Sequence, residues 1–107
     1  MNETNKLADL VTHTLQLDSQ LETDQSKIDV SKLLTLCRAE LGQLQSGDVV
    51  LVNGKKLENL DLLSLQTLLW FYQEVVALDA RCLFELPKKT VTQTCMLGMH
   101  QFHKFEA

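Results

Sequence analysis

The residues best suited to metal chemistry lie near the carboxyl end of the chain. They are a thiol, two thioethers and two imidazoles, namely Cys95, Met96, Met99, His100 and His103. Such ligands suit Cu(I) or, through the cysteine and the histidines, zinc. Their spacing, C-x4-H-x2-H, lacks the fourth ligand of a closed zinc site. The sequence therefore predicts no metal ion and no cofactor.

No group of residues has the pattern expected of a catalytic site. A catalytic triad requires a nucleophile, a base and an orienting acid. His13 falls on the polar face of a predicted helix, and Glu74 and Asp79 are five residues apart in a largely apolar region. The four glycines are isolated and form no phosphate-binding loop. We therefore expect no catalytic residues and a protein that is not an enzyme.

The composition is that of one packed domain. The chain has 107 residues, of which 45% are hydrophobic and 22% are charged. This balance is typical of a globular protein and not of a disordered segment. We expect a single compact domain over residues 1–107.

The net charge and the cysteine content limit the possible partners and the possible cellular compartment. The net charge of -4 argues against a nucleic-acid-binding protein, because such proteins present a basic stripe. The longest unbroken apolar run, residues 68–72, is far shorter than the ~20 residues of a membrane span. Three cysteines without a C-x-x-C pair, and a polar start without a signal segment, predict a cytoplasmic protein without membrane association.

Two amphipathic segments predict a helical hairpin. In residues 4–22, leucines recur at spacings of three and four, which is the period of one helical face. The same spacing recurs in residues 30–45. Two such helices joined by a short polar loop are expected to pack antiparallel.

Two further segments carry strand signals. The β-branched run at residues 49–52 precedes Asn53-Gly54, a strong turn signal, which predicts a small β-hairpin near residues 49–58. Residues 90–105 fit two interpretations. The alternating TVTQT segment favours a strand, whereas Val91, Cys95 and Phe102 have helical spacing. Both interpretations stay open.

The most informative segment is a long apolar stretch, residues 60–84, predicted to form one helix. Its polar residues occupy only a narrow stripe. A helix that is apolar nearly all round must be covered on more than one side. The predicted fold is therefore mainly α with a minor β component. An antiparallel helical hairpin packs on this long central helix, and the small β-hairpin is added to it.

The wide apolar surface of this helix predicts a non-catalytic interaction module, a small regulator, adaptor or chaperone-like protein. We expect a homodimer through the helix, although another protein could cover it instead. The residues expected in the interface or the core are Leu65, Leu68, Leu69, Trp70, Phe71, Tyr72 and Val76. One alternative is a small-molecule sensor with an apolar pocket near Trp70. A further alternative is a nucleic-acid-associated regulator that uses Lys55-Lys56 and Lys88-Lys89.

Overall fold

The computed structural model describes residues 10–23, 27–57 and 60–87. These residues form an α/β fold in which two α-helices pack against a three-stranded parallel sheet. In chain order the elements are β1 (His13–Gln16), a 3-10 turn (Ser19–Leu21), α1 (Val30–Leu41), β2 (Val49–Asn53), α2 (Leu62–Ala77) and β3 (Arg81–Glu85). Within this part of the chain, no helix is long and apolar enough to cross a membrane.

The sheet has the order β1-β2-β3, so each helix connects two neighbouring parallel strands. Such crossovers are almost always right-handed, which places two successive helices on the same face of the sheet. The contact between α1 and α2 agrees with this arrangement. In register, Leu15 of β1 lies beside Val52 of β2, which in turn lies beside Phe84 of β3.

The core lies between the sheet and the helices. The sheet contributes Leu15, Val50, Val52, Cys82 and Phe84. The helices contribute Leu33, Cys37, Leu65, Leu68, Phe71 and Val75. Because side chains alternate between the two faces of a strand, Leu51 and Leu83 point to the opposite face of the sheet. The helical face of the sheet therefore holds the main core, and α2 supplies the largest share of it.

The helix ends follow from local chemistry. Asp29 and Asp61 precede α1 and α2 in extended conformation, and each carboxylate accepts a hydrogen bond from the backbone N–H three residues later. This is the standard capping of a helix N-terminus. After α2, Asp79 adopts a left-handed conformation with φ 61°. A residue in that conformation is a common helix C-terminus, and here it turns the chain into β3.

The predicted helical hairpin is wrong. The second predicted helix is present as α1, which ends at Leu41. In the first, over residues 4–22, Leu10 is helical, but the described residues after it form β1 and the 3-10 turn. In β1, Thr14 and Gln16 are exposed while Leu15 is buried, so the side chains alternate as in a strand. The prediction was wrong because leucines with helical spacing can also be buried in one core by a strand followed by a tight turn.

The predicted β-hairpin near residues 49–58 is also wrong. The valine-rich run forms β2, which lies between two parallel strands and is apolar along most of its length for that reason. The turn signal is real, since Asn53 Oδ1 accepts a hydrogen bond from the backbone N–H of Lys55 at 3.3 Å. A Cβ at Gly54 would lie 2.9 Å from Leu86 Cδ2, so a larger residue there would require the Leu86 side chain to move. This turn leads the chain towards α2 and not back along β2.

The long predicted helix over residues 60–84 is two elements, α2 and β3. Apolar residues run continuously through both because α2 covers the sheet and β3 belongs to it. The mainly α fold is thereby replaced by an α/β fold. The ambiguous residues 90–105 lie outside the described part of the chain.

Candidate interaction surface

Helix α2 has an inner face that is buried in the core. Its members are Ser64, Leu65, Leu68, Phe71 and Val75. They recur at spacings of three and four, so they lie on one side of the helix. This side packs against α1 and β3. The inner face holds four of the eleven apolar residues in the helix and leaves the rest to be accounted for.

Eight of the remaining residues form what we call the outer face of α2. It consists of Leu62, Leu63, Gln66, Leu69, Trp70, Gln73, Val76 and Ala77. At 100° per residue they span about 140° on the side of the helix away from the inner face, although Leu69 and Trp70 are partly buried against the core. Leu62 is 51% exposed, Leu63 is 57% exposed and Val76 is 50% exposed. An apolar strip of this kind is unusual on the surface of a small monomer.

The outer face is organised in rows seven residues apart. Leu62, Leu69 and Val76 form one row, and a second begins at Leu63 and continues through Trp70 and Ala77. Gln66 and Gln73 lie between these rows. No residue of the outer face carries a charge, although Glu74 borders it. A strip that is apolar along both edges and uncharged along its centre suits contact with another protein helix.

The structure divides the residues predicted for the interface or core into three groups. Leu65, Leu68 and Phe71 are buried and belong to the core. Leu69, Trp70 and Tyr72 are partly buried and pack against the core. Val76 is exposed. Tyr72 lies at the sheet side of the helix, where its ring is 6.2 Å from that of Phe84.

Five residues of the outer face were not among the predicted interface residues, and two of them, Leu62 and Leu63, are large apolar side chains that are more than half exposed. Their spacing of seven from Leu69 and Trp70 was the signal that could have identified them. The interface prediction rests on the aromatic cluster Trp70-Phe71-Tyr72 instead. The most exposed apolar side chains of α2 therefore lie one helical turn or more before that cluster.

Outside α2, the described residues include a buried thiol and a histidine close to a carboxylate. Burial, with a smaller effect from the Glu40 carboxylate, raises the pKa of the Cys37 thiol to about 12, so this thiol is neutral and unreactive. His13 Nδ1 lies 3.7 Å from Asp48 Oδ2 at the partly exposed start of β1. Among the described residues, no three His, Cys, Asp or Glu side chains lie close enough to hold a metal ion. The candidate ligands from Cys95 to His103 lie outside the described residues.

A separate groove of about 540 Å³ opens between the end of β1 and α1. It is lined by Gln16, Asp18, Gln20, Leu21, Ser31, Lys32, Thr35 and Leu36. Most of these side chains are polar, none is aromatic, and Trp70 is not among them. The groove is thus distinct from the outer face of α2 and from the apolar pocket expected near Trp70.

The first turn of α2 gives a prediction about pH. The backbone N–H of Ser64 donates to Asp61 Oδ1 at 2.8 Å and holds the pKa of the Asp61 carboxyl below its usual range. Because the folded pKa is lower than the unfolded one, this stabilisation is present above about pH 4 and is lost as the pH falls through the folded pKa.

Asp61→Ser keeps a capping oxygen that does not titrate. Wild type is expected to be more stable than this variant at pH 7, and the difference is expected to shrink at pH 3. Urea unfolding of both proteins at the two pH values measures it. The same difference at pH 7 and pH 3 would show that the Asp61 charge does not stabilise α2.

Comparisons of this chain with protein-family models, with curated proteins and with solved structures found no match. The outer face of α2 therefore has to be interpreted from its own geometry.

Proposed function

We propose that this protein is a non-catalytic protein–protein interaction module that forms a homodimer through the outer face of α2. In this role it is a small regulator, an adaptor or a chaperone-like protein of the cytoplasm. The observation that supports the proposal is the apolar outer face itself, in which three large side chains are half exposed or more. A two-fold contact would cover the outer face of both copies at once, because each copy contributes the same helix.

The expected contact is small. Complete burial of a leucine contributes about 1.5–3 kcal/mol, so each half-exposed leucine of the outer face contributes about 1 kcal/mol when covered. With 16 residues, α2 is about 24 Å long. A single helix of this length buries an area at the low end of the range for specific interfaces. The proposed dimer therefore dissociates on dilution.

A small-molecule-binding role is the alternative, and the groove beside β1 is the observation that favours it. Its volume falls within the range of small-molecule sites, roughly 300–1,000 Å³. A nucleic-acid-associated role has less support, because Lys55 is paired with Glu85 in an ion pair.

The fluorescence of Trp70 tests the proposed function. Trp70 is the only tryptophan in the chain and it lies on the outer face of α2. Association is expected to remove water from its ring, so its emission maximum should shift to shorter wavelength as the protein concentration rises. Leu36→Glu, which changes an exposed leucine on α1, is the matched control and should show the same shift. Emission that is independent of concentration would contradict the proposal, and a shift caused by an added small molecule alone would favour a sensor.

A further inference from the structure

We propose that the outer edge of β1 binds an extended peptide of another protein. The peptide adds to the sheet as a further strand and places an uncharged side chain in the groove between β1 and α1. This inference goes beyond the proposed homodimer, because it uses a different surface of the molecule. Two neighbouring features support it, namely the backbone of β1 and the groove at the end of that strand.

The backbone of β1 directs hydrogen-bonding groups to both sides of the strand, and β2 satisfies one side. Within the described part of the chain, β1 pairs with β2 alone, so it is an edge strand. The N–H of Leu17 donates to the carbonyl of Asn53 at 2.9 Å. Because alternate residues of a strand bond to the same neighbour, Leu15 also faces β2. The N–H and C=O groups of Thr14 and Gln16 therefore point away from the sheet, as in an edge that can pair with another strand.

The sequence of β1 does not protect this edge. Proteins commonly protect an edge strand with a lysine, a proline or a bulge. The strand His13–Gln16 contains neither lysine nor proline, and its register with β2 is continuous. The side chains of Thr14 and Gln16 are exposed. Nothing in β1 itself therefore blocks the main-chain hydrogen bonds of an added strand.

The groove lies beside the path of an added strand. Gln16, at the end of β1, is part of its lining, and α1 packs against both β1 and the 3-10 turn that follows it. Its volume of about 540 Å³ is in the range of sites that enclose a small ligand, so a peptide side chain fits in it. In peptide recognition by strand addition, main-chain hydrogen bonds give affinity and pockets for alternate side chains give specificity. The edge of β1 and the groove have this relation.

The lining indicates which side chain the groove accepts. Leu21 and Leu36 supply apolar surface, and Asp18 and Lys32 contribute one negative and one positive charge. Because these two charges cancel, a charged peptide side chain would lose hydration without a net electrostatic attraction. We therefore expect an uncharged, apolar residue such as leucine in the peptide at the position next to Gln16.

Selection from a phage-displayed library of short random peptides, with the full-length chain as the target, provides the probes. The selected peptides are synthesised with a fluorescent label, and fluorescence anisotropy measures their dissociation constants. Thr14→Pro removes the N–H that points away from the sheet, and proline is tolerated at such positions of an edge strand. Thr14→Val is the matched control, because it changes the same side chain and keeps the N–H.

We expect Thr14→Pro to weaken peptide binding about tenfold, because one main-chain hydrogen bond is lost and its acceptor is left unpaired. Thr14→Val should bind as the wild type does. Leu36→Glu adds a carboxylate to the groove and should weaken binding several-fold, whereas Leu63→Glu on the outer face of α2 should leave it unchanged. The backbone amides of Thr14 and Gln16 are expected to exchange their hydrogens more slowly when the peptide is bound.

A selection that yields no binding peptide would overturn the inference, and so would peptides that bind Thr14→Pro and Thr14→Val equally well. Peptides that lose binding to Leu63→Glu would be bound by the outer face of α2 instead. If circular dichroism shows that Thr14→Pro is unfolded, Leu36→Glu and the amide exchange decide the result. The molar mass of the protein in solution tests the proposed homodimer separately, so either proposal can fail without the other.

Discussion

Phe71→Ala is expected to lower the free energy of unfolding by about 3–5 kcal/mol, the usual cost of removing a fully buried phenylalanine. Phe71 has no exposed surface and is the largest of the fully buried side chains among the described residues. It belongs to the cluster that joins α2 to the sheet. Because small domains have a total stability of about 5–15 kcal/mol, this loss is a large fraction of the free energy of unfolding.

Urea denaturation followed by circular dichroism measures this loss. Leu62→Ala is the matched control, because it shortens an exposed side chain of the same helix. Surface changes of this kind usually alter stability by less than about 0.5 kcal/mol. The measurement is made at a concentration at which the protein is monomeric, so that association does not contribute. A loss below about 1 kcal/mol for Phe71→Ala would mean that α2 does not pack on the sheet as described.

Leu63→Glu is expected to weaken the dimer at least tenfold, which corresponds to about 1.4 kcal/mol. Leu63 is 57% exposed, so the monomer should keep its fold and its stability. In a two-fold interface the substitution occurs twice, and each copy introduces a carboxylate into an apolar contact. Sedimentation velocity over a concentration series measures the dissociation constant.

Leu36→Glu introduces the same charge at an exposed leucine on α1 and should leave the dissociation constant unchanged. Equal weakening by both variants would indicate a general effect of charge. A dimer unaffected by Leu63→Glu would show that the outer face of α2 is not the interface.

The sequence predicted the positions of α1, the first strand-forming residues of β2 and the apolar character of α2. Each of these elements carries a local signal. Leu33 and Cys37 have helical spacing, and Val49 begins a β-branched run. The amphipathic pattern and the turn signals are short-range properties, so they could be identified without knowledge of the tertiary structure.

The fold class could not be predicted because it depends on which strands pair. His13–Gln16 is only four residues long, and its alternation was hidden within leucines of helical spacing. β3 follows α2 after only three residues and continues its apolar run, so the two were merged into one helix. The parallel order of the sheet is set by contacts between residues that are distant in sequence.

The candidate surface could be predicted only in part. An apolar excess in α2 was evident from composition, but its division into an inner and an outer face requires knowledge of what the helix packs against. Leu65 and Leu62 are the same residue type in the same apolar segment, yet Leu65 is buried and Leu62 is half exposed. Only the position of the sheet distinguishes them.

The molar mass of the protein in solution tests the central claim most directly. Light scattering on a size-exclusion column is recorded over a wide range of loading concentrations. The chain has a mass of 12.1 kDa, and we expect the measured mass to rise with concentration from this value towards twice this value. A mass that stays at 12.1 kDa across the whole range would show that the outer face of α2 does not bind a second copy.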